Sequence, residues 1–387
     1  MRILIAPDKF KGSLSAREVA ENIAAGLRDV LHDAKIDIVP MADGGEGTAE
    51  VICDALGGSW LKCKAHDPLG REIDARYAWI ADRKLAVLEM SEAAGMRRLS
   101  ESERDPVRAT TFGVGEMIFD AASRGANEII IGLGGSATND GGFGMARALG
   151  FRFEYEHEHA QEQEQEQEVT CLLHLKKIAK PKDLTLPKII AAVDVRNLLL
   201  GENGATRVFG PQKGASKDKI DLLERALTRL ADLVEKEFEG KSAERNSAGR
   251  TGKMPVFRDE PGAGAAGGLG FGLMSFCGAT VRPGFDVVAE AVGLESKMKD
   301  VDLVITGEGS LDRQTLEGKT PAGVAQLAKK LGKRVFAIVG RTTKDREVRE
   351  IFDSVYENAR SGMSEKENIQ RAAELLRENA RELAKSL

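Results

Sequence analysis

At 387 residues the chain is too long for one ordinary hydrophobic core, so two domains are expected. A composition 42% hydrophobic and 30% charged describes a globular protein, and a net charge of −5 gives no electrostatic reason to expect nucleic acid as a partner. No apolar run reaches the length of a membrane span, and Met1-Arg2-Ile3-Leu4-Ile5-Ala6 passes at once into Pro7-Asp8-Lys9, so neither a membrane partner nor secretion is expected and a cytoplasmic location is. Cys53, Cys63, Cys171 and Cys277 lack metal-like or CxxC spacing and read as reduced thiols.

Arg2 to Ala6 reads as a buried strand. Ser15 and Glu18 have capping-box spacing, and Val19, Ile23, Leu27 and Leu31 give a helical stripe before a second strand at Ile36 to Val39. This is a βαβ opening, with its first loop at the carboxyl end of a strand, where open α/β sheets bind ligands. Lys9 and Lys11 lie in that loop. Cations beside a helix N-terminus oppose its dipole, so an anion such as phosphate would resolve the conflict. The second strand ends in Asp43-Gly44-Gly45-Glu46-Gly47, where Asp43 either caps a helix reaching about Leu56 or faces a ligand across the glycines.

From about Ser59 the texture changes to short strands at Trp60 to Ala65, Glu72 to Ala81 and Lys84 to Met90, read as the start of an inserted second domain. Arg108, with Thr110 and Thr111, could hold a small carboxylate or be an ordinary surface arginine. A helix containing Ile118 returns the chain to an apolar strand at Ile129 to Ile131. That strand opens into Gly132-Leu133-Gly134-Gly135-Ser136-Ala137-Thr138-Asn139-Asp140-Gly141-Gly142-Phe143-Gly144. Glycines at this density let backbone N–H groups form an anion-binding nest, and the short polar residues add hydrogen bonds.

Residues 154–168 are a low-complexity Glu/Gln run carrying His157 and His159, read as an incidental surface pair. A strand at Lys188 to Ala192 ends near Asp194, a carboxylate well placed for chemistry. A helix follows from about Lys217 to Phe238, then a patternless stretch at 239–259. Pro261 to Gly270 is almost all small residues, suited either to close packing or to a flat floor under a ligand. Strands at Val301 to Thr306, Val335 to Val339 and Asp353 to Tyr356 restore the alternation. Thr320-Pro321 reads as an N-cap pair, and Ser364 with Glu367 opens a C-terminal helix running to about Lys385.

Strand-end loops rich in Gly, Ser, Asp and Lys point to a polyanionic ligand. Gly318-Lys319-Thr320 resembles a P-loop tail, but Arg313 stands where its first glycine belongs. The first βα loop lacks G-x-G-x-x-G, and no arrangement suggests covalent hydrolysis. Phosphoryl transfer remains, with cations on the phosphates, Mg²⁺ on one or two carboxylates and a base near the acceptor hydroxyl.

Six blocks, in order and spanning nearly the whole chain, resemble the type-1 glycerate kinase family, bacterial enzymes that phosphorylate D-glycerate with ATP. They are Ala6-Pro7-Asp8-Lys9-Phe10-Lys11-Gly12-Ser13-Leu14, Ala42-Asp43-Gly44-Gly45-Glu46-Gly47-Thr48, Gly132 to Gly142, Val208-Phe209-Gly210-Pro211-Gln212-Lys213-Gly214-Ala215, Pro261 to Gly268, and Thr306-Gly307-Glu308-Gly309-Ser310-Leu311-Asp312. The family's Asp-Val-x-Asn-Pro-Leu stands here as Asp194-Val195-Arg196-Asn197-Leu198-Leu199, without the proline.

The resemblance implies a two-domain α/β fold. A Rossmann-like parallel-sheet domain would form from both chain ends (1–60 plus 285–387), with a second α/β domain inserted (61–284) and the active site in the cleft between them. It implies ATP and Mg²⁺ as cofactors, D-glycerate as substrate, and 2-phosphoglycerate and ADP as products. The same kinase acting at the 3-hydroxyl, or a non-catalytic metabolite-binding protein of the same fold, are the alternatives. Whether two copies pair as a homodimer is left open. On this reading Asp194 is the base and Lys9 its catalytic companion. Asp8, Lys11, Ser13, Asp43, Gly44, Gly45 and Arg108 bind substrate or phosphate. So do Gly134, Gly135, Ser136, Thr138 and Asn139 of the central loop, and Gly307, Glu308, Gly309 and Ser310. Asp140 and Asp312 are the metal candidates.

Overall fold

The computed structural model describes residues 1–156, 168–238, 257–343 and 345–387, so His157, His159 and most of the Glu/Gln run lie outside the described residues, as does 239–256. The chain divides into two compact units, Met1–Gly58 with Pro283–Leu387, and Ser59–Arg282.

In the first unit β1 (Arg2–Ile5) leads into a helix, Ala16–Arg28, and then β2 (Lys35–Ile38), which runs parallel to β1. The Ser15 and Glu18 capping box forms as expected, and Val19, Ile23 and Leu27 are buried. The second unit then builds β3 (Ser59–His66), β4 (Glu72–Ile80), β5 (Leu85–Glu89), β6 (Glu128–Gly132), β7 (Lys188–Val193) and β8 (Thr280–Pro283). The chain returns to the first unit with β9 (Leu303–Thr306), β10 (Arg334–Val339) and β11 (Ser354–Glu357).

The first unit's sheet has five strands in the order β11-β10-β9-β1-β2, all parallel. Its central strands are apolar runs because they are covered on both faces. Ile3, Ile5, Leu303, Ile305, Phe336 and Ile338 form one core with the helices Ala16–Arg28 and Ala372–Ser386. Strand order reverses direction at β1 and β9, the switch point where such sheets hold ligands outside their carboxyl ends.

The second unit's sheet has six strands in the order β8-β7-β6-β5-β4-β3. Strands β5, β6 and β7 are mutually parallel, while β3, β4 and β5 form an antiparallel meander. Among the described residues no helix is long and apolar enough to cross a membrane.

The expected single C-terminal helix is two. Glu365–Gln370, opened by the Ser364 and Glu367 capping box, buries nothing. It ends at Arg371, and Ala372–Ser386 then presents Leu375, Leu376, Ala380 and Leu383 to the core. The exposed turn and the packed helix follow different surfaces, which accounts for the break. Gly26 permits the helix crossing, since a Cβ there would lie 2.3 Å from the Arg377 carbonyl oxygen and 2.8 Å from the Ala380 Cβ. Alanine normally improves on glycine inside a helix. Here Gly26→Ala is expected to destabilise by about 1–3 kcal/mol through overpacking, read as a lower urea midpoint with an unchanged circular dichroism spectrum before unfolding.

Candidate active site

In the first unit the loops after β1 and β9 are zipped together. Ala6 N donates to the Ile305 carbonyl at 2.7 Å and Asp8 N to the Gly307 carbonyl at 2.8 Å. This brings Asp8 and Glu308, both buried, to neighbouring positions at the switch point. Asp8 Oδ1 accepts from the Lys9 amide at 2.7 Å, and Oδ2 accepts from the Thr320 hydroxyl at 2.7 Å. Burial, reinforced by the Asp43 carboxyl, pushes Asp8 up to about 7. Glu308 accepts from the Thr315 hydroxyl at 2.6 Å. Burial pushes it up to about 7 against the pull of Thr315 and Lys319, with the Asp8 and Asp312 carboxyls adding to the rise.

The Lys9 ammonium donates to the Glu46 carbonyl. Gly45 leaves the ground beside it open: a Cβ there would be 3.8 Å from Lys9 Nζ and 3.1 Å from Asp43 Oδ1. Asp43 is not a helix cap. The helix Thr48–Ala55 is capped by Gly47 in the left-handed region, and Asp43 Oδ1 accepts from the Gly45 amide at 3.1 Å. Gly44 is buried beside it. Thr320 also departs from expectation. It is the first helical residue, after an N-cap at Lys319, because its hydroxyl is engaged by Asp8.

Other residues expected in this set are placed differently. Ser13 closes its own turn, with its amide donating to the Phe10 carbonyl at 2.9 Å and its hydroxyl to the Ile369 carbonyl at 3.2 Å. Lys11 is exposed. Gly307 serves close packing, since a Cβ there would strike the Ile338 carbonyl at 2.1 Å, whereas one at Gly309 would come no nearer than 3.4 Å, to the Lys11 amide. Ser310 accepts from Arg341 at 3.2 Å.

Among the described residues no three metal-type side chains form a closed cage. Neighbouring carboxyls raise the affinity of both Asp8 and Glu308 for a proton, so a divalent cation would relieve the repulsion. Mg²⁺ ordinarily takes one or two carboxylates and completes its shell with water and phosphate oxygens. The donor set fits that use.

In the second unit the glycine-rich loop after β6 is held from inside by Asp140. Its carboxylate accepts from the Thr111 amide and hydroxyl, both at 2.8 Å, and from the Gly142 and Gly144 amides, both at 3.1 Å. It is 1% exposed, and burial pushes its pKa up while these donors pull it down. With both oxygens engaged by the protein, Asp140 organises the loop. The grip expected of Arg108, Thr110 and Thr111 does not form either. Thr111 is engaged by Asp140 and by the Met145 amide, and exposed Arg108 lies 3.8 Å from Glu168.

The loop's outer half rests on Lys213, a residue that sequence reasoning passed over. Its ammonium is 3% exposed and donates to the Ser136 hydroxyl and the Thr138 carbonyl, both at 2.7 Å. Burial pushes it down to about 7, opposed by the Asp140 carboxylate. The one signal was its place in Gly210-Pro211-Gln212-Lys213-Gly214, a stiff turn inside a recognised block. Asn139 Nδ2 donates to Thr206 at 2.9 Å, while Asn139 Oδ1 and Thr138 Oγ1 are buried with no hydrogen-bond partner among the described residues. Gly134 and Gly135 remain partly open to solvent.

The small residues of 261–270 pack closely against the glycine-rich loop. Gly267, at φ +68°, accepts from the Gly141 amide through its carbonyl at 3.0 Å, and a Cβ there would lie 2.0 Å from the Thr138 carbonyl. Asp194 is exposed, one residue past β7. Its loop is pinned through Asn197, whose carbonyl accepts from the Gly264 amide at 2.9 Å, so the missing proline leaves the anchor in place and Leu198 simply faces outward.

A family model described as the glycerate kinase family matches residues 3–387. The chain belongs to the glycerate kinase family. It is 40% identical over 389 residues to the glycerate kinase of Bacillus subtilis (strain 168), covering 100% of this chain and 98% of that protein. It is 42% identical over 345 residues to the glycerate 2-kinase of Escherichia coli (strain K12), covering 89% and 86%. A crystal structure from Salmonella typhimurium LT2, of a protein provisionally named glycerate kinase 2, superposes with a TM-score of 0.82 at 39% identity, covering 100% of this chain and 98% of that one.

Lys213 gives this kinase a distinctive pH response. Between about 7 and the ordinary lysine value of 10.5, the unfolded chain binds a proton at this site that the folded chain has released. Stability therefore rises with pH across that window, by up to about 1.4 kcal/mol per pH unit. Lys213→Met is expected to flatten the rise, measured as urea unfolding free energy at pH 7, 8.5 and 10. An unchanged slope would show that the lysine stays charged in the fold.

Proposed function

We propose that this kinase transfers the γ-phosphoryl group of ATP to the 2-hydroxyl of D-glycerate, giving 2-phosphoglycerate and ADP. The observation that carries phosphoryl transfer is the meeting of Asp8, Glu308 and Lys9 at the switch point of the first unit's sheet. Such transfer depends on positioning and charge neutralisation far more than on covalent chemistry. Glycerate as acceptor, and the 2-position in particular, are supported by similarity to the Escherichia coli glycerate 2-kinase.

Asp8 and Glu308, with Asp43 and Asp312 nearby, would hold Mg²⁺. The ion supplies neutralisation of the phosphate oxygens when bound. The Lys9 ammonium shields a second part of the same charge. In the second unit, the loop from Gly134 to Asn139 offers amides and hydroxyls to an anion, with Lys213 fixing Ser136 and the Thr138 carbonyl beneath it. Asp194 takes the proton of the 2-hydroxyl as its oxygen attacks the γ-phosphorus, and the bond from that phosphorus to the bridging oxygen of ADP breaks.

³¹P NMR of the protein with D-glycerate, ATP and Mg²⁺ is expected to show the phosphomonoester signal of 2-phosphoglycerate. A 3-phosphoglycerate signal would move the transfer to the other hydroxyl, and intact ATP would remove the kinase reading. Asp194→Asn is expected to lower kcat by about 10²-fold with little change in the KM for glycerate. Normal turnover in that variant would take Asp194 out of the mechanism.

A further inference from the structure

Beside the Asp8–Lys9 loop, and wholly within the first unit, lies a cavity of about 310 Å³. It is bordered by the start of the helix Ala16–Arg28, the segment after β2 and the helix Thr48–Ala55. Small side chains create the space: Ala16, Ala42 and Ala55 stand on its walls together with Gly47. One wall is apolar, made by Ile38, Val39, Met41 and Val51. Three cations, Lys9, Arg17 and Lys297, and four carboxylates, Asp8, Glu46, Glu50 and Asp54, stand on its border, and Glu50 and Asp54 sit one turn apart on the same helix face. Asp54 is also bonded to Arg17 at 2.8 Å.

The chemistry of these walls discriminates between the reactants. A small hydroxy acid has no apolar face to bury and meets four carboxylates, of which only Asp54 is neutralised by Arg17. A planar base gains by lying against Ile38, Val39 and Val51, in a volume at the lower end of the roughly 300–1,000 Å³ typical of small-molecule sites. Sugar hydroxyls are donors, and carboxylates are the groups that accept them in dinucleotide sites. Phosphates are driven from the carboxylate side toward Lys9, where Gly45 leaves the approach open.

We propose that this cavity holds the nucleoside of the phosphoryl donor, with the base on the apolar wall, the ribose hydroxyls donating to Glu50 and Asp54, and the phosphate chain leading to Lys9. This rests on the reading of the protein as an ATP-dependent kinase.

Isothermal titration calorimetry of the full chain with Mg²⁺ tests it, using ADP, 2′,3′-dideoxy-ADP and pyrophosphate as probes. ADP is expected to bind at least about tenfold more tightly than pyrophosphate, a difference of one 1.4 kcal/mol step. Ala55 is exposed, so Ala55→Trp fills the cavity mouth without disturbing the core. That variant is expected to weaken ADP by about tenfold or more and to leave pyrophosphate unchanged. Glu50, also exposed, provides a second variant that keeps the fold. Glu50→Gln is expected to weaken ADP by about fivefold, the loss of a charge-assisted hydrogen bond at an open site, and to shrink the preference for ADP over its dideoxy analogue. Tight ADP binding that neither variant alters would overturn this site while leaving the ATP reading intact. A wild-type protein that binds no ADP and does not turn over ATP would overturn both.

Discussion

Four donors converge on the carboxylate of Asp140, and the second unit's loop takes its shape from that convergence. Without it two glycine amides and the Thr111 amide would be buried unpaired, each at a cost of about 1–3 kcal/mol, and the Thr111 hydroxyl would keep only the Met145 amide. The other restraints build on this one. The Gly141 amide reaches the Gly267 carbonyl, and Lys213 reaches Ser136 and Thr138 from beneath. The Asp140 carboxylate stands near that ammonium and offsets part of the cost of burying it.

The first unit uses buried carboxyls in the opposite way. Asp8 and Glu308 each have a threonine hydroxyl as partner, yet they face further acidic groups in place of a ring of amides. Asp140 is held by four donors; Asp8 and Glu308 are held by burial and neighbouring carboxyls that Lys9, Lys319 and the two threonines only partly offset. The same side-chain chemistry thus provides a fastening in one unit and an affinity for cations in the other, and environment alone sets the difference.

Much of the fold was legible because its signals are local. Apolar runs such as Ile129–Ile131 and Val335–Val339 are strands covered on both faces, and Ser15 with Glu18 or Ser364 with Glu367 mark helix starts within one turn. The glycine-rich loops were legible as unusual. What each polar side chain does within them was not, because the partners are remote: Asp140 and Thr111 are 29 residues apart, Lys213 and Ser136 77, and Asp8 and Thr320 312. Sequence reading therefore gave Asp140 to a metal, Thr111 to a substrate carboxylate and Thr320 to a helix cap. In each case a long-range partner had already taken the group. The stretch 261–270 shows the same limit, since only the neighbouring Thr138 and Gly141 reveal that its glycines serve packing.

Strand β1 lies between β2, which follows it closely, and β9, which begins at Leu303. A ribosome therefore exposes the first strand long before it makes the neighbour that completes the sheet. The second unit, continuous from Ser59 to Arg282, has all its residues available first. Domains generally fold as units during synthesis, so here the inserted segment can mature while the opening residues wait. Asp8 gains Glu308 and Thr320 only once the last quarter of the chain is under way. A product terminated before Glu308 therefore leaves Asp8 without both its acidic neighbour and its threonine donor.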